Sequence, residues 1–191
     1  MSRFARASAA VAWLFCGAHA LAGEAYVALV PWRVLEAEGT VDAPLALFWI
    51  PSSAEELRRS AMLTSDELTL FSSQCVAMRV VRSTDDARLA SLGVESELPA
   101  VVLTNRAGEI IGRVDAEHGA LSVADVEELV RDELDRRASE TETMLDRARE
   151  LAERSEVEAA VALYRSVWEE RCVCPRQARD AKKALRKLRR R

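Results

Sequence analysis

The chain has 191 residues, with 27 Lys and Arg, 31 Asp and Glu, and 49% hydrophobic residues. That length holds one compact domain and a small appendage, and it excludes two large domains. A charged share of 30%, with only 7 Gly and 5 Pro, excludes extended disorder and collagen-like or low-complexity classes. The net charge of −4 argues against a general nucleic-acid binder.

The first residues read as a targeting segment. Arg3 and Arg6 form a basic start, and residues 7–15 are apolar and uncharged. Ala18-His19-Ala20 and Ala20-Leu21-Ala22 both fit small-x-small cleavage sites, so residues 1–22 are expected to be a secretory signal peptide. The apolar stretch, at most about 16 residues, falls short of the roughly 20 a spanning helix needs. An uncleaved N-terminal anchor is the alternative. Cleavage after Ala22 removes Arg3 and Arg6 and no acid, which takes the net charge from −4 to −6. The protein is expected to be exported, to a periplasm or the exterior.

Residues 26–34 are mostly apolar and suit a first strand. Leu45–Ile50 is an unbroken apolar run between Pro44 and Pro51, the pattern of a strand buried on both faces. Ser53 with Glu56 matches a capping box, and Thr64 with Glu67 matches a second, so residues 53–74 predict two helical pieces or one bent helix. Residues 75–81 are the next strand. Residues 84–92 predict a short helix ended by Gly93. Residues 100–104 and 109–114 predict two strands joined by a turn at Asn105 to Gly108. Ser122 caps a helix whose apolar face is Val123, Val126, Leu129, Val130 and Leu134. The order β, β, α, β, α, β, β, α predicts an α/β domain with a central sheet flanked by helices.

Phe48-Trp49 ends a buried strand just before a helix. The segment LASLGV at 89–94 precedes LPAVVL at 98–103 and then GEIIGRV at 108–114. This arrangement resembles the thioredoxin family over residues 25–137. The resemblance implies a thioredoxin-like sheet, with Pro99 as a cis-proline beside an active groove. Aligned on Phe48-Trp49, the two cysteine positions of that family fall on Ser53 and Glu56, and the chain has no Cys-x-x-Cys. The redox activity of the family therefore does not carry over. What carries over is a groove flanked by Trp49, Ser52, Ser53, Glu56 and Pro99, suited to a polypeptide or protein partner.

Other chemistry is sparse. Cys75 opens an apolar run and reads as a buried structural thiol. Cys172-Val173-Cys174 is either a pair at a chain corner, reduced or bonded, or a strained exchange disulfide. The second reading makes Cys172 and Cys174 the candidate catalytic pair of a rival function, a thiol–disulfide oxidoreductase. Without Cys16 three thiols remain, so at least one is unpaired in a monomer. No metal site is expected, because His118 is the one histidine left beyond residue 22 and Cys-x-Cys supplies too few ligands. Ser52 and Ser53 read as helix caps, since a serine nucleophile needs a base and His118 gives no sign of pairing. Glu55, Glu56, Asp66 and Glu67 lie in first helical turns, where acids complement the helix dipole. No cofactor motif is present.

The C-terminal part predicts three amphipathic helices as a separate unit. A break is expected near Ser139, dividing a sheet domain at 25–138 from a helical unit at 140–191. Leu145, Ala148, Leu151 and Ala152 form one stripe, and Val157, Ala160, Val161, Tyr164, Val167 and Trp168 a second. Ala178, Ala181, Leu185 and Leu188 form a third. The first two helices resemble a tetratricopeptide unit, with Ala148, Leu151, Ala160 and Tyr164 at its packing positions and a tight turn at Ser155, although Pro175 falls late for that pattern. Lys182, Lys183, Arg186, Lys187, Arg189, Arg190 and Arg191 form a basic end without acids, either a solvated face or a contact to an anionic surface. The main expectation is a non-catalytic protein-binding or scaffold module.

Overall fold

The computed structural model describes residues 29–36, 39–95 and 97–189. The expected signal peptide, the first part of the expected first strand, and Arg190 and Arg191 lie outside the described residues. The apolar run between the two prolines forms strand β2, Leu45–Ile50, buried at every position. It is flanked on both edges. Strand β3, Val76–Val80, pairs with it in parallel, and strand β4, Ala100–Asn105, pairs antiparallel. The short β1, Arg33–Val34, adds in parallel beyond β3, and β5, Ile110–Asp115, adds antiparallel beyond β4. The result is a mixed five-stranded sheet in the order β1-β3-β2-β4-β5, within an α/β fold.

Both faces of β2 are covered, which explains the absence of alternation in its sequence. Leu45, Leu47 and Trp49 enter one core, with Met62, Leu68, Val126 and Val130. Ala46, Phe48 and Ile50 enter the other, with Leu92, Val94 and Val102. Helix α1, Ala54–Arg59, starts at Ser53, whose hydroxyl accepts from the Glu56 N–H at 3.2 Å. A 3-10 turn at Ala61–Leu63 leads to α2, Asp66–Ser73, so the two-piece reading of this segment holds. The second cap is Ser65 and not Thr64: Ser65 accepts from the Leu68 N–H at 3.0 Å. Thr64 instead closes the preceding turn, its N–H donating to the Ala61 carbonyl. Helix α3, Asp86–Ser91, is capped by Asp85 and followed by Gly93 at φ 66°.

Helix α4, Val123–Glu153, is capped by Ser122 and runs unbroken for 31 residues. The expected break at Ser139 is absent. No Gly or Pro interrupts the segment, and one buried face continues through it: Val126, Val130 and Leu134, then Thr141, Leu145 and Ala148. Spacings of three, four and seven keep these on one stripe. The first half packs on the sheet. The second half packs against α5, Val157–Glu169, and α6, Pro175–Leu188, in a third core containing Leu151, Ala160, Tyr164 and Ala181. Ser155 sits in the α4–α5 turn at φ 64°. Val173 and Cys174, between α5 and α6, belong to the core under the sheet. The helical segment therefore supplies side chains to the sheet's own core.

α4 is clasped to the rest at several points. Ser65 Oγ donates to Glu127 at 2.6 Å, and Arg131 grips Glu67 with two N–H groups at 2.6 and 2.9 Å. Glu133, 3% exposed at its side chain, accepts from Arg136 at 2.7 and 2.8 Å and from Arg137 at 2.7 Å. Arg137 also faces Glu170 at 3.6 Å. Burial alone pushes the Glu133 carboxyl pKa upward, but the hydrogen bonds and charges of Arg136 and Arg137 outweigh it and hold the pKa below the ordinary range.

Two measurements test this packing. Gly112 of β5 lies against α4 so closely that a Cβ there would overlap Leu129 Cδ1. Gly112→Ala should lower the unfolding free energy by about 1 kcal/mol or less in denaturant titrations, because the Cβ meets only the tip of the half-buried Leu129 side chain, which can turn aside. Because the folded Glu133 pKa is depressed, its stabilisation is present above the unfolded value near 4.3 and is lost as pH falls through the folded value. Glu133→Gln should therefore cost about 1–3 kcal/mol near neutral pH. The gap to the wild type should close progressively below about pH 4; a gap unchanged into acid would refute the assigned pairing.

Candidate functional site

The sheet has two chemically different ends. At one end, β2 runs into Pro51, Ser52 and Ser53, and β4 begins just after Pro99. Ile50 pairs with Ala100, so Pro51 and Pro99 lie one step beyond the ladder, side by side. The Leu98–Pro99 peptide is cis. Ser52 donates to Glu56 Oε2 twice, from its N–H and from its hydroxyl, each at 2.7 Å. Glu56 therefore folds back on Ser52, while Ser53 holds the helix start. Ser52 and Ser53 are exposed, Glu56 is half-buried, and Pro99 is buried.

Trp49 does not line this surface. It is fully buried, its ring 5.4 Å from that of Trp32 in the core. The reason lies in the strand period: Trp49 shares the face of Leu45 and Leu47, which α2 and α4 cover. The side chains that structure brings together at this end are Ser52, Ser53 and Glu56, beside Pro99. They form a polar rim with exposed hydroxyls, and no thiol is among them. His118 is exposed in the 117–120 turn at φ 53°.

The cysteines lie at the other end. Cys75, at φ 64°, immediately precedes β3, whose Val76 pairs with Leu45 at the start of β2. Cys75 is bonded to Cys172, with Cα atoms 5.7 Å apart and 97 residues between them in sequence. This corrects both thiol readings. Cys75 is not a free thiol, and Cys172 does not pair with Cys174. The 3-10 turn Glu170–Cys172 aims Cys172 at the sheet, whereas Cys174, two residues on, points into the core. Cys174 is buried and accepts from the Thr141 hydroxyl at 3.6 Å. Burial, above all, raises its pKa, with Glu170 adding to the rise, so it is a poor nucleophile. With about 3.3 Å per residue, β2 sets the disulfide roughly 20 Å from Ser52.

The disulfide opens onto a cleft of about 560 Å³ that Arg33, Arg79, Arg106 and Arg171 line together with Asp42 and Glu169. The sequence reading missed this cluster. Its one visible signal was Arg79 inside an otherwise apolar strand; Arg33, Arg106 and Arg171 are scattered over 139 positions of sequence and meet only in the fold. Burial, and then the charge of Arg33, lower the Arg79 pKa from its ordinary value.

Of the C-terminal stripes, Tyr164 is core, with Ala148, Leu151 and Ala160 in the same cluster. Trp168 is half-buried, with Lys182 Nζ 4.4 Å and Arg171 5.5 Å from its ring. Among the described residues, no group of three or more His, Cys, Asp and Glu is placed to hold a metal ion, and no helix is long and apolar enough to cross a membrane.

The Cys75–Cys172 bond closes a long loop, so it restricts the unfolded chain strongly. Replacing both cysteines by Ser should lower the unfolding free energy by about 2–4 kcal/mol. Mass mapping under non-reducing conditions should find Cys75 linked to Cys172, with Cys174 modified only after denaturation. A Cys172–Cys174 link would overturn the assignment.

The chain matches no protein-family model, and no curated protein resembles it at a significant level.

Proposed function

We propose that this is an exported protein with a thioredoxin-like sheet that has no redox function at its groove and serves as a protein-binding or scaffold module. The observation that carries the reading is the chemistry at the end of β2. Beside Pro99, where a thioredoxin-type pair would stand, the side chains are Ser53 and Glu56, and Glu56 is engaged by Ser52. A serine hydroxyl forms no mixed disulfide, and a carboxylate resolves none. The strand order and the run from β2 into a capped helix support the scaffold part of the reading. The bonded and buried cysteines, roughly 20 Å away along β2, support the absence of thiol chemistry there. The rim of Ser52 and Ser53, with the buried Pro99 behind it, offers hydroxyls to the backbone of an extended polypeptide.

The surface is tested with an unfolded, carboxymethylated polypeptide as probe. Amide shifts should concentrate at Ser52, Ser53, Glu56 and residues 98–100, and Ser52→Trp should abolish them; shifts confined to other surfaces would refute the groove. Disulfide reductase turnover of the purified protein should be negligible. The joint replacement Ser53→Cys and Glu56→Cys should raise it, because the first thiolate would then sit at a helix start that favours it by about 2 kcal/mol. Robust turnover in the natural sequence that persists when Cys75, Cys172 and Cys174 are all replaced by Ser would contradict the reading.

A further inference from the structure

The cleft at the disulfide end reverses the sign of the whole molecule. The chain carries a net charge of −4, yet four arginines line this cleft against two acids. Two of them stand opposite each other on neighbouring strands. Arg33 of β1 and Arg79 of β3 are register partners on adjacent strands, with backbones about 4.8 Å apart, and their side chains leave the sheet on the same face. Like charges directly opposite on neighbouring strands destabilise a sheet. Neither arginine has a carboxylate partner among the described residues. Arg79 donates Nη1 to the Met78 carbonyl at 3.0 Å, and its remaining N–H groups stay available. Asp42 does not neutralise them: it faces Arg106 at 3.6 Å, and both side chains of that pair are largely exposed.

We propose that this cleft binds a small doubly charged oxyanion, a phosphate or a dicarboxylate, held between Arg33 and Arg79 on the sheet and Arg171 on the helical side. The guanidinium fork matches the oxygen spacing of carboxylate and phosphate. An anion between two unneutralised arginines replaces repulsion with attraction, and it does so most strongly beside the half-buried Arg79, where water screens less. The two walls of the site come from distant parts of the chain, and the Cys75–Cys172 bond joins them at the edge of the cleft. The walls are thus fixed before a ligand arrives, which reduces the ordering that binding must supply. This site is independent of the groove at Pro99, at the opposite end of β2.

The experiment uses the oxidised full chain and two probes, inorganic phosphate and succinate, each against sodium chloride at equal ionic strength. Calorimetric titration and the thermal midpoint are both read. The expected result is a saturable heat and a raised midpoint with phosphate, with succinate or with both, and neither with chloride. A response to phosphate alone assigns a phosphate site, to succinate alone a dicarboxylate site, and to both the shared oxyanion chemistry. In the Arg33→Gln and Arg79→Gln double variant the midpoint without anion should be unchanged or higher, since a like-charge pair has gone. Its anion affinity should fall about tenfold or more, the worth of one charge-assisted hydrogen bond. If the double variant does not fold, Arg33→Gln alone, at an exposed position of the edge strand, gives the same comparison. Responses to phosphate and succinate no larger than that to chloride would overturn the proposal, as would a response that survives in the variants.

Discussion

One helix organises this protein. α4 is long enough, at about 1.5 Å per residue, to lie across the sheet with its first half and to project beyond it with its second. Its single buried stripe serves two cores in succession. Val126 and Val130 close the core beneath β2, and Leu145 and Ala148 close the core shared with α5 and α6. A helix this long stays unbroken through continuous packing and the absence of any Gly or Pro that would break its hydrogen-bond ladder. Between the two apolar zones the stripe turns polar. There Arg137 links Glu133 to Glu170, and Thr141 donates to Cys174. A buried charge is tolerated at this point because Glu133 receives three guanidinium hydrogen bonds.

The same joint explains why the helical segment is not an independent appendage. Val173 and Cys174 enter the sheet's core, and the residue just before them, Cys172, is bonded to Cys75 at the start of β3. α5 and α6 are therefore tied to the sheet at three levels: a continuous helix, a shared core and a covalent bond. This is how a lone pair of helices after α4, too small to bury its stripe unaided, becomes stable.

The sheet separates two chemistries by the length of one strand. The end near Pro99 presents the Ser52 and Ser53 hydroxyls and Glu56, with no thiol among them. The opposite end gathers a disulfide and arginines. In an α/β sheet the loops at opposite ends of a strand cannot reach each other, so the two ends can act on different ligands. We read the first as a surface for polypeptide and the second as a site for a small anion, each resting on its own residues.

Much of the fold was legible in the sequence because local chemistry agreed with tertiary demand. The LALFWI run between two prolines is a central strand with the bounds the pattern implied. Ser53, Gly93 and Ser122 mark helix ends, and the Asn105–Gly108 turn closes its hairpin through the Asn105 side chain, which accepts from Ala107 and Glu109. Such features depend on neighbours within about four residues, and sequence order shows those directly. What only the tertiary structure decided depends on distant residues. Ser139 reads as a boundary, yet packing on both sides carries the helix through it. Trp49 reads as a groove residue, yet its strand face is the covered one. The cysteines could be counted but not paired, because Cys75 meets Cys172 only when α5 folds back toward the sheet. The arginine cleft is of the same kind: single positive residues, unremarked along the chain, become a site when strand register and a disulfide bring them to one place.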